Sequence, residues 1–182
     1  MLRYLDDWLV QASSREEVLR ARDKVLELCQ ALGIIINFDK SHLVPTQIMD
    51  YLGIRIDATL LRASPVPERI DKLTSVVEEF LSYEKQPAWL WRKLLGHLSS
   101  LTQLVPGGQL RMRAVQLALR SQWDFRDEEV LIEWNLQCRL DLQWWTELGR
   151  LEQGCHLEIV PPDLMFWSDA SDQGWGAHLQ DK

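Results

Sequence analysis

Two adjacent aspartates, Asp6 and Asp7, stand between two short apolar runs, residues 2–5 and 8–10, in this chain of 182 residues. Apolar runs of this length around polar residues predict a β-hairpin. The pair is a poor choice for its turn, because adjacent carboxylates repel each other and tight hairpin turns prefer glycine or asparagine. A divalent cation would compensate for that cost. An Asp-Asp pair without further context is usually a solvated turn, so the metal interpretation depends on the residues that follow.

A helix is predicted after the hairpin. Ser14 and Glu17 have the spacing of a capping box, and Gly33 suits the residue just beyond the end of a helix. Apolar side chains between them recur at helical spacing. The sequence therefore predicts one amphipathic helix between Ser14 and Gly33.

Further strands are predicted on either side of a polar turn. Residues 34–36 are three consecutive isoleucines, residues 37–41 are polar, and residues 50–57 form a second run suited to a strand. Strands that alternate with one helix predict an α+β segment over residues 1–62.

Prolines and glycines divide the next part of the chain into four predicted helices. These cover about residues 67–81, 88–104, 109–121 and 128–151. Pro67 suits the first turn of the first helix, and Pro87 precedes the second. Asp124 or Asp127 would cap the fourth, which is rich in tryptophan.

The formal net charge of −7 argues against a nucleic-acid-binding protein if the chain is taken as a whole. The charge is unevenly distributed, however. Residues 1–61 carry 7 basic and 9 acidic side chains, residues 62–123 carry 9 and 5, and residues 124–182 carry 4 and 13. Only the middle segment therefore has the sign that a phosphate backbone attracts.

The cellular compartment is predicted from features that the sequence lacks. No apolar run approaches the roughly 20 residues of a membrane span, and the first residues have no secretory signal pattern. Cys29, Cys138 and Cys155 are odd in number and have no metal-ligand spacing. We therefore expect an intracellular protein, in the cytoplasm or nucleus, with reduced thiols and no membrane partner.

The order of the motifs resembles that of reverse transcriptases over nearly the whole chain. Tyr4-Leu5-Asp6-Asp7 resembles the family's Tyr-x-Asp-Asp motif. Residues 32–41 resemble the next motif, whose lysine the family places near the incoming triphosphate, and Tyr51-Leu52-Gly53-Ile54 resembles the hairpin that grips the primer end. Residues 91–101 and 142–145 are most similar to retrotransposons of the DIRS type, which encode a tyrosine recombinase.

The resemblance implies two-metal nucleotidyl transfer, in which a complete site holds two Mg²⁺ or Mn²⁺ ions. Asp6 would be the principal metal ligand and Asp7 a secondary one, since neighbours on a strand point to opposite sides. Lys40 would pair with the triphosphate of the dNTP, although a solvated turn lysine is an equal alternative. Contacts with the nucleotide or the primer are implied for Tyr4, Leu52 and Gly53.

Residues 63–123 would form the helical thumb, which packs on the duplex of RNA template and DNA primer. Phosphate contacts are implied for Arg92, Lys93, Arg111, Arg113 and Arg120, with Trp89 and Trp91 as packing or sugar contacts. The alternative is that these basic residues are simply the solvated faces of amphipathic helices. Residues 124–160 would be a helical connection, whose tryptophan-rich helix is a core or docking face.

The end of the chain resembles the start of an RNase H domain. Pro161-Pro162 would act as a linker before a strand over residues 164–170. Asp169 is the metal ligand that the resemblance implies there, and Asp172 is a turn residue. The expected organisation is α+β: a partial palm at 1–62, a thumb at 63–123, a connection at 124–160 and a truncated RNase H-like domain at 161–182.

The family's other metal-binding aspartate lies upstream of the Tyr-x-Asp-Asp motif. We therefore expect a full-length RNA-directed DNA polymerase with RNase H, and we expect this chain alone neither to polymerise nor to cleave. Two alternatives stay open. One is a non-catalytic, retroelement-derived binding or scaffold protein. The other is a helical DNA-binding module, which would bind duplex in a salt-dependent way without metal. The sequence leaves the oligomeric state undetermined.

Overall fold

The computed structural model describes residues 1–158 and 164–180, and it has an α+β fold. The strands are β1 (Leu2–Tyr4), β2 (Asp7–Leu9), β3 (Ile48–Tyr51), β4 (Ile54–Asp57), β5 (Arg62–Pro65), β6 (Lys85–Pro87), β7 (Leu131–Glu133), β8 (Cys155–His156), β9 (Met165–Ser171) and β10 (Gly174–Gln180). The helices are α1 (Arg15–Ala31), α2 (Pro67–Leu81), α3 (Ala88–Leu101), α4 (Gly108–Arg111), α5 (Arg113–Gln122), α6 (Leu136–Trp145) and α7 (Leu148–Gln153), with one turn of 3-10 helix at Phe38–Lys40. The α+β expectation is confirmed.

The strands of the described residues form four antiparallel sheets. β3, β4, β5 and β8 make a four-stranded sheet in that order, and β1–β2, β6–β7 and β9–β10 are two-stranded. The chain reverses over residues 52–53 between β3 and β4, and over residues 58–61 between β4 and β5. Because β8 follows α7, its pairing with β5 returns the end of the helical region to the sheet.

Helix α1 begins and ends where its capping residues predict. The Ser14 hydroxyl accepts a hydrogen bond from the Glu17 amide at 3.2 Å. At the other end Gly33 has φ +70°, and its amide donates to the carbonyl of Gln30. This left-handed residue satisfies a terminal carbonyl, as glycine at this position commonly does.

The hydrophobic core lies among the helices α2, α3, α5 and α6. Large side chains that are fully buried there are Leu73, Phe80, Trp91, Leu94, Leu98, Leu142 and Trp145. Phe80 and Trp91 meet edge to face, with ring centroids 4.8 Å apart. Trp145 packs so closely on Gly108 that a Cβ at this glycine would lie 2.6 Å from the indole ring. The helices of residues 67–122 therefore share one core with α6.

Two strand predictions in the N-terminal segment were wrong in detail. Residues 34–36 are not a strand, and Ile35 is 96% exposed. Preference for β-structure does not make a strand without a neighbouring strand to pair with. Residues 50–57 are not one strand either, because the chain reverses at Leu52 and Gly53. The hairpin that was expected from Tyr51-Leu52-Gly53-Ile54 is thus confirmed.

The third and fourth predicted helices were also wrong in their bounds. Met112 separates α4 from α5, and residues 131–133 form β7, which pairs with β6. Asn135, rather than Asp124 or Asp127, caps α6, because its side chain accepts from the Cys138 amide at 2.9 Å. The apolar run at residues 130–132 is too short for the sequence to distinguish a helix from a strand.

The cysteines, the helix lengths and the proline pair at 161–162 were also the subject of predictions. Cys29, Cys138 and Cys155 are free cysteines, and the first two are buried. Within residues 1–158 and 164–180, each helix is too short or too polar to cross a bilayer. The linker expected at Pro161-Pro162 lies outside the described residues.

Candidate metal-binding hairpin and nucleic-acid interface

The two aspartates lie in the predicted hairpin, one residue away from the expected register. Tyr4 pairs with Asp7, so the turn residues are Leu5 and Asp6, and Asp7 is the first residue of β2. Leu5 has φ +51°, a left-handed conformation that costs a non-glycine residue about 1–3 kcal/mol. Both carboxylates are exposed. Leu52, Leu61 and Phe125 also have positive φ, so the two adjacent like charges, rather than the strain, distinguish this turn.

The structure brings this hairpin against the β3–β4 hairpin. The Tyr51 hydroxyl donates a hydrogen bond to the backbone carbonyl of Asp7 at 3.1 Å. Tyr51 directly precedes the turn at Leu52 and Gly53, whose φ values are +51° and +74°. This hydrogen bond therefore connects the hairpin of Asp6 and Asp7 with the hairpin that contains Leu52 and Gly53.

Lys40 is placed at the end of the 3-10 turn. The Asn37 side chain caps this turn by accepting from the Lys40 amide at 3.2 Å. In the described ranges, no ion pair joins Lys40 to Asp6 or Asp7. Its role toward the triphosphate stays a prediction.

The chain contributes part of a metal-ligand set. Among residues 1–158 and 164–180, no three acidic, histidine or cysteine side chains gather around a point that a metal ion would occupy. Asp6 and Asp7 offer two carboxylates, whereas Mg²⁺ requires six oxygens in octahedral geometry. Asp169 lies apart from them along the chain, in the exposed β9–β10 hairpin, where it pairs with Gly176. The two carboxylates are of the donor type that Mg²⁺ prefers, but they are fewer than a complete coordination sphere needs.

Arg111 has a structural role that the sequence did not show. Its guanidinium forms an ion pair at 3.1 Å with Asp141, which is only 4% exposed. A buried carboxylate needs a paired cation, and removal of one partner is strongly destabilising. The same guanidinium lies 5.6 Å from the ring centroid of Trp144. The expectation that Arg111 contacts phosphate is therefore not favoured by its position.

Arg92 and Lys93 lie in exposed ion pairs, with Glu128 and with Glu79 respectively. Pairs of this kind stabilise a fold by about 0–1 kcal/mol, so a phosphate can replace the carboxylate at little cost. Arg113 and Arg120 are exposed on α5. These four positions are compatible with the expected backbone contacts.

The two tryptophans of α3 differ in exposure. Trp91 is completely buried, which rules out a sugar contact and confirms its role in packing. Trp89 is 36% exposed, and the Lys93 ammonium lies 6.0 Å from its ring centroid. Only Trp89 is accessible to a ligand.

A basic cluster between α2 and α3 was missed by the sequence analysis. It consists of Arg69 and Lys72 on α2, and Lys93 and His97 on α3; we refer to it as the α2–α3 basic cluster. Partial burial lowers the pKa of His97, and the positive charges of Lys72, Lys93 and Arg69 lower it further. The available signal was helical spacing, since each pair lies three or four residues apart on one helix. The packing of the two helices then concentrates the charge.

Sequence comparisons relate the N-terminal segment to a known family. Residues 1–56 match the family described as "Reverse transcriptase (RNA-dependent DNA polymerase)". The chain is 26% identical over 180 residues to the "Enzymatic polyprotein" of Cauliflower mosaic virus (strain D/H), which covers 97% of this chain and 24% of the polyprotein. It is 29% identical over 166 residues to the "Gag-Pol polyprotein" of Rous sarcoma virus subgroup C (strain Prague), which covers 90% of this chain and 9% of the polyprotein. The chain thus spans a quarter or less of these relatives.

Comparison with solved structures supports the same fold. The foamy viral protease-reverse transcriptase in complex with double-stranded DNA aligns with a TM-score of 0.62 at 17% identity, over 93% of this chain and 30% of that protein. The foamy viral protease-reverse transcriptase in complex with an RNA/DNA hybrid aligns with a TM-score of 0.58 at 16% identity. The matches together show that residues 1–56 are similar to the reverse transcriptase family and that nearly the whole chain is similar to a segment of viral polyproteins.

Proposed function

We propose that the chain is a segment of an RNA-directed DNA polymerase, in which Asp6 and Asp7 hold divalent cations beside the primer end. The observation that supports this proposal is the hydrogen bond from the Tyr51 hydroxyl to the backbone carbonyl of Asp7, which links the hairpin of Asp6 and Asp7 to the hairpin of Leu52 and Gly53. When bound, two Mg²⁺ or Mn²⁺ ions supply charge neutralisation for the attacking 3′-hydroxyl and the leaving pyrophosphate. The RNA template, the DNA primer and the dNTP are the corresponding partners.

The residues of the two hairpins then take separate roles. Asp6 is the principal ligand and Asp7 the secondary one, because Asp7 begins a strand on which neighbours point to opposite faces. Tyr4, which is 58% exposed, supports the nucleotide or the primer end. Lys40 neutralises charge on the triphosphate and gives a proton to the pyrophosphate.

The duplex backbone is contacted by the basic surface of the helices. Lys72 and Lys93 of the α2–α3 basic cluster, together with Arg92, present positive charge within residues 62–123, the part of the chain that has net positive charge. Contacts of this kind position a duplex without reading its sequence. The division at 1–62, 63–123, 124–160 and 161–182 is part of this proposal, with the second and third segments sharing one hydrophobic core.

Two finer assignments belong to this proposal. Residues 91–101 and 142–145 favour a DIRS-type element within the reverse transcriptases. Asp169 is proposed as the first ligand of an RNase H site, because it lies in an apolar strand that pairs with the next strand through a tight turn. A polymerase of this kind works inside the cell, in the cytoplasm or nucleus.

A manganese titration of this chain tests the metal-binding hairpin. We expect Mn²⁺ at millimolar concentration to broaden the NMR amide signals of residues 4–8, because two adjacent carboxylates form a weak, partial site. Asp6→Asn keeps the shape of the side chain but removes its charge, so the broadening should fall at least about fivefold. Glu128 and Glu129 are an adjacent acidic pair elsewhere in the chain. Equal broadening at that pair would show that the hairpin has no particular affinity, and would contradict the proposal.

Binding of a labelled RNA/DNA hybrid tests the α2–α3 basic cluster. The double substitution Lys72→Ala and Lys93→Ala is expected to weaken binding about tenfold at low salt and to reduce the salt slope by about 2, because each lysine neutralises one phosphate. Fluorescence anisotropy at several salt concentrations measures both quantities. The matched control, Arg20→Ala with Lys24→Ala, removes the same charge from α1. An equal loss in the control would show that diffuse charge, not this cluster, binds the duplex.

A further inference from the structure

One guanidinium ties the β3–β4 turn to two helices. Arg69 Nη1 donates to the carbonyl of Gly53 at 3.3 Å, and the Val66 amide donates to the same oxygen at 3.3 Å. Arg69 Nη2 donates to the carbonyl and the hydroxyl of Ser100, at 3.0 and 2.8 Å. Since Arg69 belongs to α2 and Ser100 to α3, the turn is fixed to the place where the two helices pack together.

This close approach requires glycine at the turn. Gly53 has φ +74°, and a Cβ there would lie 2.8 Å from the Cδ atom of Arg69. A side chain would therefore push the arginine away from the turn, besides adopting an unfavourable backbone conformation. The sequence thus keeps the one residue that lets the guanidinium lie over the turn.

The other side of the β3–β4 hairpin holds the Asp6–Asp7 hairpin. The Tyr51 hydroxyl donates to the carbonyl of Asp7, which lies 44 residues earlier in the chain. β1 and β2 have only three residues each, and an isolated hairpin of that size is marginally stable. The hydrogen bond from Tyr51 therefore adds to the anchoring that burial of Leu9 gives to this hairpin.

The β3–β4 hairpin between these two anchors is stiffened across its strands. Asp50 and Arg55 face each other in the ladder and share two hydrogen bonds, Nε to Oδ1 at 2.9 Å and Nη2 to Oδ2 at 3.0 Å. The second strand, β4, also pairs along its length with β5. These contacts provide a connected path by which a displacement at Gly53 would reach Tyr51.

We infer that Arg69 and Tyr51 are positioning residues, which couple the packing of α2 against α3 to the placement of the Asp6–Asp7 hairpin. This inference rests on the proposed function for its meaning: carboxylates that hold catalytic metal ions need placement to within about 0.5 Å. Helices that grip a duplex would thereby set the geometry of the carboxylates through the chain Ser100, Arg69, Gly53 and Tyr51. The coupling itself is a property of this chain and is measurable without catalysis.

Hydrogen exchange of the backbone amides, resolved by NMR, measures this coupling. Tyr51→Phe removes only the hydroxyl, and we expect the amides of residues 4–9 to exchange about three- to tenfold faster. Arg69→Ala is expected to speed exchange at residues 52–54 by a similar factor, and at residues 4–9 by about two- to fivefold. In the Tyr51→Phe background, Arg69→Ala should add nothing at residues 4–9, because the connection is already broken.

That lack of additivity distinguishes a positioning role from a general stabilising role, which would give the same factor in both backgrounds. Tyr83→Phe also removes only a hydroxyl, from an exposed side chain, and it should not change exchange at residues 4–9. If Arg69→Ala prevents folding, Ser100→Ala takes its place in the experiment. It should speed exchange at the same residues by smaller factors.

The coupling is overturned if Arg69→Ala and Ser100→Ala both leave residues 4–9 unchanged, or act equally with and without the Tyr51 hydroxyl. Failure of the proposed function looks different. In that case the Mn²⁺ broadening at residues 4–8 is absent from the unsubstituted chain, while the exchange pattern of the variants persists.

Discussion

Replacement of Asp6 by asparagine, in a complete polymerase that contains this segment, is expected to lower the rate of nucleotide incorporation about a thousandfold or more. Loss of a metal-binding carboxylate removes charge that stabilises the transition state, and a factor of a thousand corresponds to about 4 kcal/mol. Asparagine keeps the size of the side chain, so the turn at Leu5 and Asp6 should persist. Asp7→Asn should have a smaller effect, because Asp7 begins β2 and is the secondary ligand.

Primer extension on an RNA template, with single-turnover rates, is the measurement. Asp39→Asn is the matched control, since Asp39 is also exposed but lies in the 3-10 turn; its rate should stay within about twofold of the unsubstituted enzyme. A rate for Asp6→Asn within tenfold of that enzyme would contradict the metal role. The chain of 182 residues alone, with two carboxylates at the hairpin, should incorporate no nucleotide.

Local sequence signals predicted the structure correctly where a backbone group has its hydrogen-bond partner within a few residues. Ser14 and Gly33 predicted both ends of α1, and Pro67 predicted the start of α2, because capping and proline geometry act within one helical turn. The Asp-Asp hairpin was predicted for a similar reason. Its register was predicted one residue too late, since the sequence does not show that Leu5 tolerates a positive φ.

Strand formation depended on partners that are distant in the chain. The isoleucines at 34–36 have strong β-propensity but pair with no strand among the described residues, whereas residues 131–133 become β7 because β6 lies beside them. Ile132 is buried by that pairing. Propensity describes what a residue tolerates, and the fold decides whether a neighbouring strand is present.

The basic residues show the same division between local and tertiary information. The sequence identified Arg92 and Arg111 as equivalent candidates for phosphate contact. The fold gives Arg111 a buried partner, Asp141, and leaves Arg92 in an exposed ion pair. It also brings Lys72 to His97 across two helices, which spacing along one helix does not predict. Which charges are free to bind a ligand follows from packing, not from their number.

Substitution of Gly154 by alanine is expected to lower the free energy of unfolding by about 2–4 kcal/mol. Gly154 ends α7 with φ +63° and ψ −158°, a region of backbone conformation that is accessible essentially to glycine alone. A Cβ there would collide with the Ala63 carbonyl group, 2.8 Å from its carbon, and would also lie 2.8 Å from the Cβ of Ser64. Ala63 cannot move aside without loss, because it is buried and pairs with Cys155 in the sheet.

Gly149→Ala is the control for this prediction. Gly149 lies within the same helix, and nothing is within 4 Å of the position that its Cβ would take. Alanine there should raise stability by up to about 1 kcal/mol, because it favours helix more than glycine does. Urea denaturation followed by circular dichroism measures both variants. Equal effects of the two substitutions would contradict the close packing of α7 against β5. A lower free energy of unfolding for Gly154→Ala together with a higher one for Gly149→Ala would show that the junction at Gly154 stabilises the packing of α7 on the sheet that contains the β3–β4 hairpin.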